Sequence, residues 1–265
     1  MNDLDQMLEF AVGLARKAAG QHRRYFRKKE LDIVHKDERF DIVTGADKAA
    51  ERVVVDAIRE RFPEHSILTE ESGLDIHNPE WEWVIDPLDG TTNFSAGLAH
   101  FNISIALEHR GETVVGVVYA PILELLFTAI KGHGAFCNGV PIATGSTERL
   151  VDAVVATGMP YDRATNPDNN IPVIADVATT VRGLRIFGSA ALDLCFVASG
   201  RLDAFWEMTL HRWDVAAGAL IASEAGAVVT TYRDDRPIAM LAANSALTAQ
   251  LLPMLTHRAE GCSAK

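Results

Sequence analysis

The stretch Trp83-Val84-Ile85-Asp86-Pro87-Leu88-Asp89-Gly90-Thr91-Thr92-Asn93-Phe94 constrains this chain more than any other. Its first three residues read as a short apolar strand that Asp86-Pro87 breaks, so the strand delivers Asp86 to its end. Pro87 fixes its own φ, lacks an N–H and keeps Asp86 extended. Gly90 lets the backbone turn sharply. Asp86, the Leu88 carbonyl and Asp89 then converge on one point, an oxygen-only donor set suited to a hard cation such as Mg²⁺. The N–H groups of Gly90, Thr91 and Thr92 open a following helix, and such a terminus is a natural phosphate site. The same residue types also build ordinary turns, so taken alone the segment reads either way. The strand before it and the Thr-Thr-Asn after it favour function.

Three further acidic positions carry a bland and a functional reading together. Glu70-Glu71 follows a short apolar strand, Ser66 to Thr69, and an isolated acidic pair is usually a solvated loop. Asp214, just before a helix, is first of all an N-cap. Thr44-x-x-Asp47 reads as a capping box. The bland readings leave the joint pattern unexplained, because acids end strands or open helices at widely spaced points. Such a cluster holds a phosphate only with cations between.

Periodicity orders the rest. Met7, Leu8, Phe10, Ala11, Leu14, Ala15 and Ala18 recur at helical spacing, but Glu9, Arg16 and Lys17 interrupt them. That is an amphipathic helix packing on a core and not an export signal. A polar segment from Lys36 to Asp47 leads into a second helix over about 46–62, ended by Pro63. Residues 101–109 alternate as a half-buried strand, with Asn102, Ser104 and Glu108 on the polar face. Segments 114–119 and 125–130 extend it into an antiparallel meander that ends at the Asn138-Gly139 hairpin signal. Beyond about 145, strands at 151–156, 184–187, 203–206, 227–230 and 238–242 alternate with helices at 171–181, 189–198, 215–225 and 246–255. The tail from Ala259 reads as frayed. Two subdomains sharing an interface are expected: residues 1–145, an α+β unit with the metal-binding loops, and 146–265, an α/β unit completing the site.

Composition excludes several classes. A formal charge of −11 over 265 residues disfavours nucleic-acid and membrane binding. No apolar run approaches membrane-spanning length. Cys137, Cys195 and Cys262 are scattered without metal spacing and read as reduced thiols in cytoplasm.

With these residues in place, the chain resembles the inositol monophosphatase family over nearly its whole length, from about Met7 to Leu255. The resemblance rests on Asp41-Ile-Val-Thr44-x-x-Asp47, Glu70-Glu71-Ser72, the Trp83–Phe94 element and Trp213-Asp214-Val-Ala-Ala-Gly218. Gly188-Ser189-Ala190-Ala191-Leu192-Asp193 and Trp206-Glu207 match further family positions. The resemblance implies the layered α/β/α/β/α fold shared with fructose-1,6-bisphosphatases, and hydrolysis of a phosphate monoester, foremost myo-inositol monophosphate. Histidinol-phosphate phosphatase, nucleotide 3′-phosphatase and fructose bisphosphatase share the scaffold, and specificity lies in loops near 158–170 and 185–189. It implies roughly two or three Mg²⁺ per site, held by Glu70, Asp86, the Leu88 carbonyl, Asp89 and Asp214. Asp47 and Thr91, with Glu70, are implied in activating the attacking water, with no covalent phosphoenzyme. Gly90 and Thr91 are implied to hold phosphate beside Leu88, Asp89 and Asp214, and Gly188, Ser189, Ala190 and Glu207 to meet the alcohol, Glu207 as a charged acceptor. Lithium sensitivity and a homodimer are implied as well. A partner role in the RNA synthesis machinery is the competing reading. Thr69 and Arg212 stand where relatives differ, and both are expected to bear on substrate choice.

Overall fold

The computed structural model describes residues 3–28, 31–36 and 40–256. The tail from Ala259, with Cys262, lies outside them; Cys137 and Cys195 are unpaired. The chain opens with α1 (Asp3–Tyr25) and the small hairpin β1 (Val34–His35) and β2 (Ile42–Val43), then enters α2 (Gly45–Arg61). A run of strands follows: β3 (Ser66–Thr69), β4 (Gly73–Asp75) and β5 (Trp81–Asp89). After the one-turn helix α3 (Thr91–Ser95) come β6 (Asn102–His109), β7 (Glu112–Ala120), β8 (Leu125–Ile130), β9 (Ala135–Cys137) and β10 (Val140–Pro141). The remainder alternates: β11 (Val154–Thr157), α4 (Ile171–Ala178), β12 (Gly183–Arg185), α5 (Ala190–Ala198), β13 (Ala204–Leu210) and α6 (Arg212–Glu224). It closes with β14 (Val228–Arg233), β15 (Ile238–Ala243) and α7 (Ser245–Thr256).

Among the described residues the larger sheet has 8 strands in the order β10-β9-β8-β7-β6-β5-β3-β4. It is the expected antiparallel meander, except that β3 joins β5 in parallel. The smaller sheet has 5 strands, β12-β11-β13-β15-β14, parallel across β12, β11 and β13 and antiparallel beyond. Three apolar clusters glue the layers. Ala11, Leu14 and Ala18 of α1 and Val54 and Ile58 of α2 cover one face of the large sheet on Trp83, Ile85, Ile103, Ile105 and Leu107. Its other face, with Val84, Ala106 and Val118, meets Leu192, Leu194, Ala217 and Ile221 of α5 and α6, which also touch Phe205 and Ala242 of the small sheet. Val173, Val177, Leu247 and Leu251 of α4 and α7 cover the outside on Val155, Trp206 and Leu241. The result is the layered α/β/α/β/α arrangement.

Two expectations are corrected here. The strand expected to be half-buried, β6, is covered on both faces: Asn102, Ser104 and Glu108 are as buried as Ile103 and Ile105. Alternation alone reports two chemically different faces, and here helices cover both. The strand expected to break at Asp86-Pro87 runs on to Asp89. Element ends move by a few residues elsewhere; α6 begins three residues before the expected 215 because His211 and Asp214 close a capping box around its first turn.

His22 ties α1 to this strand. It is fully buried, and its Nε2 donates to the Pro87 carbonyl at 2.8 Å, while Nδ1 has no partner among the described residues. Burial pushes its pKa down from 6.5 to about 4; Arg23 adds to this and the Pro87 carbonyl opposes it. The folded protein therefore holds a neutral imidazole where the unfolded chain binds a proton below pH 6.5. The contribution is present above 6.5 and is lost as pH falls toward 4. It amounts to about 3 kcal/mol. His22→Gln keeps a donor for Pro87 and removes the titration. Urea unfolding of both proteins across this range is expected to show a shallower loss for the variant; parallel curves would contradict the assignment.

Candidate active site

Asp86 and Asp89 are three residues apart, and a regular strand would send them to opposite faces. The pairing of β5 with β6 changes register between them: Asp86 lies opposite Ser104, and Asp89 opposite Asn102. Ser104 and Asn102 share a face, so the extra residue on β5 brings both aspartates to that face, a bulge re-aiming a side chain. Both are nearly buried, 2% and 8% exposed. The Leu88 N–H donates to Asp86 Oδ1 at 2.9 Å. Asp89 Oδ2 accepts from Asn102 Nδ2 at 2.8 Å, Ser189 Oγ at 2.7 Å and the Ala191 N–H at 3.0 Å. Burial raises both pKa values; for Asp86 the charges of Glu70, Asp89 and Asp214 raise it further.

Asp214 is not the N-cap. His211 holds that position, and Asp214 is the third helical residue, its Oδ2 accepting from the His211 N–H at 2.6 Å. Burial lifts its pKa well above the usual range, and Glu70, Asp89 and Glu207 add to this. Glu70 comes from the turn after β3, where the Thr69 hydroxyl accepts from the Ser72 N–H at 3.1 Å. Thr69 thus builds the turn that carries the acidic pair. Lys36 Nζ bridges the pair, 2.7 Å from Glu70 Oε1 and 2.8 Å from Glu71 Oε1. Burial moves Glu70 up to about 7 against the pull of Lys36. The pair is therefore part-buried and bridged by a cation, not a solvated loop.

Asp47 confirms its capping reading and adds to it. Its Oδ2 accepts from the Thr44 N–H at 2.9 Å and the Thr44 hydroxyl at 2.5 Å. Its Oδ1 faces Thr91 Oγ at 2.9 Å, while the Leu88 carbonyl lies 3.0 Å from the same hydroxyl. Thr91 has one proton for two acceptors, so it passes between them. Burial raises the Asp47 pKa, opposed by the Thr44 and Thr91 hydrogen bonds. Gly90, at φ 92, leaves β5 for α3. A Cβ there would lie 3.0 Å from the His100 carbonyl.

The residues expected around the alcohol divide. Ser189 spends its hydroxyl on Asp89 and makes no cap bond to α5. Ala190, the first residue of α5, is buried in the apolar layer. The Gly188 carbonyl faces Asn93 Nδ2 at 3.3 Å, and the same amide lies 2.6 Å from the Phe187 carbonyl. Glu207 presses its carboxylate on Gly158, where a Cβ would overlap it. Burial, with Asp193 and Asp89, raises its pKa to about 8. Asn102 went unrecognised in the sequence; its only signal was a polar residue on the supposed solvent face of β6. Its Oδ1 is buried without a hydrogen-bond partner among the described residues.

Glu70 after β3, Asp86 and Asp89 on β5 and Asp214 on α6 thus gather from three elements, and the charges of Glu70, Asp89 and Asp214 all reach Asp86. Among the described residues no three acidic, histidine or cysteine side chains stand in a formed metal cluster. Asp86, Asp89 and Asp214 each tie one oxygen to protein donors, and Glu70 is tied to Lys36. The second oxygen of each aspartate takes no hydrogen bond among the described residues. A hard divalent cation fits this donor chemistry.

The sequence pattern of the inositol monophosphatase family matches residues 3–262. The Nus factor SuhB of Pasteurella multocida is 42% identical over 231 residues, 86% of each chain. An inositol monophosphatase from Anabaena superposes with a TM-score of 0.85 at 39% identity, covering 97% of both chains. The extragenic suppressor protein suhB of Bartonella henselae gives 0.88 at 38% identity, over 94% of this chain and 98% of that one.

Proposed function

The chain belongs to the inositol monophosphatase family, and on that premise we propose that it hydrolyses a phosphate monoester with divalent cations, Mg²⁺ first, foremost myo-inositol monophosphate. The observation that carries the reading is the gathering of buried Asp86 and Asp89 with part-buried Glu70 and Asp214, each with a raised pKa. Buried like charges of this kind need a cation partner. Glu70, Asp86, Asp89, Asp214 and the Leu88 carbonyl would hold Mg²⁺. Bound there, it would neutralise phosphate charge and acidify water.

The chain's own groups do the rest in this reading. The Thr91 hydroxyl accepts the proton of the attacking water and passes its own to Asp47 Oδ1, a buried base of raised pKa. Asn102, Ser189 and the Ala191 N–H hold Asp89 in one orientation. Gly90 permits the tight turn from β5 into α3 against the His100 carbonyl, and its N–H with that of Thr91 would face the phosphate. Glu207, packed on Gly158 with a raised pKa, would meet a hydroxyl of the alcohol.

The test is turnover by the purified protein on inositol monophosphate, histidinol phosphate, a nucleotide 3′-phosphate and fructose bisphosphate. Chelation is expected to abolish activity and Mg²⁺ to restore it, with inositol monophosphate turned over fastest. Full turnover in chelator would overturn the metal reading. A faster rate on another ester would reassign the substrate alone. A second reading rests on the Nus factor name of a relative 42% identical: a partner role in the transcription machinery. A catalytically dead variant that still supports growth where the wild type is needed would favour it.

A further inference from the structure

α6 begins with a residue that its own electrostatics disfavour. Arg212 is its first residue, where the positive end of the helix dipole repels a cation. The guanidinium leaves the helix for the large sheet. Its Nη2 donates to Glu82 Oε1 at 2.5 Å and to Glu108 Oε2 at 2.6 Å. Those two acids lie directly opposite each other on β5 and β6. Like charges at opposed strand positions repel, and Glu108 is only 7% exposed. The sheet therefore needs a cation at this spot, and the helix supplies it. The next residue is held as well: Ser104 Oγ, on the same face of β6, donates to the Trp213 carbonyl at 3.3 Å.

The strands that receive these contacts also build the acidic site. Glu82 shares its face of β5 with Asp86, and Asp214 follows Arg212 by two residues. We propose that Arg212 is a positioning residue that sets Asp214 against Asp86 and Asp89 by pinning the first turn of α6 to β5 and β6. This rests on the metal-site reading above. It replaces the expected part for Arg212 in substrate choice.

A cation beside a metal site has two effects of opposite sign. Acting only as a charge, Arg212 repels the metal, and its removal tightens binding. Acting as a pin, it orients Asp214, and its removal weakens binding. Mg²⁺ affinity measured by calorimetry on the whole chain separates the two. Arg212→Gln is expected to weaken Mg²⁺ binding by about 10-fold, the low end for groups that orient metal ligands. Turnover at saturating Mg²⁺ is expected to stay near the wild-type rate. Arg212→Lys keeps the charge without the planar fork and is expected to recover only part of the affinity. Glu108→Gln is expected to weaken binding as well, and adding Arg212→Gln to it to cost little more.

Unchanged or tighter Mg²⁺ binding in a folded Arg212→Gln protein would overturn the proposal. Should that variant not fold, wild-type affinity in both Arg212→Lys and Glu108→Gln would do the same. If instead the wild type binds no Mg²⁺, or Asp214→Asn binds it as the wild type does, the metal-site reading itself falls.

Discussion

Asp89→Asn is expected to lower kcat by about 10³-fold or more while the protein stays folded. The argument starts from three donors. Asn102 Nδ2, Ser189 Oγ and the Ala191 N–H all point at Asp89 Oδ2. An asparagine must present its carbonyl oxygen there, since its NH₂ would face three donors. Its NH₂ is then forced into the position of Oδ1, in a site where Asp86 and Asp214 both feel the Asp89 charge. The substitution removes a charge from the site and also aims two donor protons where a cation would bind. The fold is spared, because relieving repulsion among buried carboxylates offsets the weakened hydrogen bonds. The melting temperature in chelator is therefore expected to hold or rise while activity disappears. Near-normal turnover at saturating Mg²⁺ would remove Asp89 from the metal-binding set.

Thr91→Ala and Asp47→Asn are expected to lower kcat by about 10²–10⁴-fold each with little change in KM. Thr91 Oγ and Asp47 Oδ1 are 2.9 Å apart and form a single proton path. Water activation is realised in the transition state, so its loss appears in kcat. Groups that act as one unit are not additive, so the double variant is expected to be no slower than the worse single one. Thr91→Ser keeps the hydroxyl and is expected to restore most of the rate. Asp47 also caps α2 through Thr44, so a loss of stability accompanies Asp47→Asn and not Thr91→Ser. Multiplying losses in the double variant would separate the two residues into independent roles.

The two readings of Asp47 show how far sequence reasoning reached. The capping box was legible in Thr44-x-x-Asp47, because caps are local. That the second oxygen of the same carboxylate meets Thr91 depends on where β5 ends relative to α2. Asp214 shows a local miss. Its spacing from His211 closes a capping box, yet an acid before a helix reads more simply as the cap itself. Arg212 was legible only as a departure from relatives, since the acids it meets lie more than a hundred residues away.

Local structure was decided by the sequence itself: the helical spacing of α1 and α2, the Asn138-Gly139 hairpin, the meander and the turn at Gly90 that leads from β5 into α3. These follow from side-chain periodicity and backbone freedom within a few residues. Only the tertiary structure decided that both faces of β6 are covered, which turned Asn102 and Glu108 from presumed surface residues into buried partners of Asp89 and Arg212. It alone set the bulge that brings Asp86 and Asp89 to one face. It also brought Glu207 within reach of Asp193 and Asp89, which together with burial raise its pKa to about 8. Each depends on burial and on charges brought from distant segments, and no local spacing encodes either quantity.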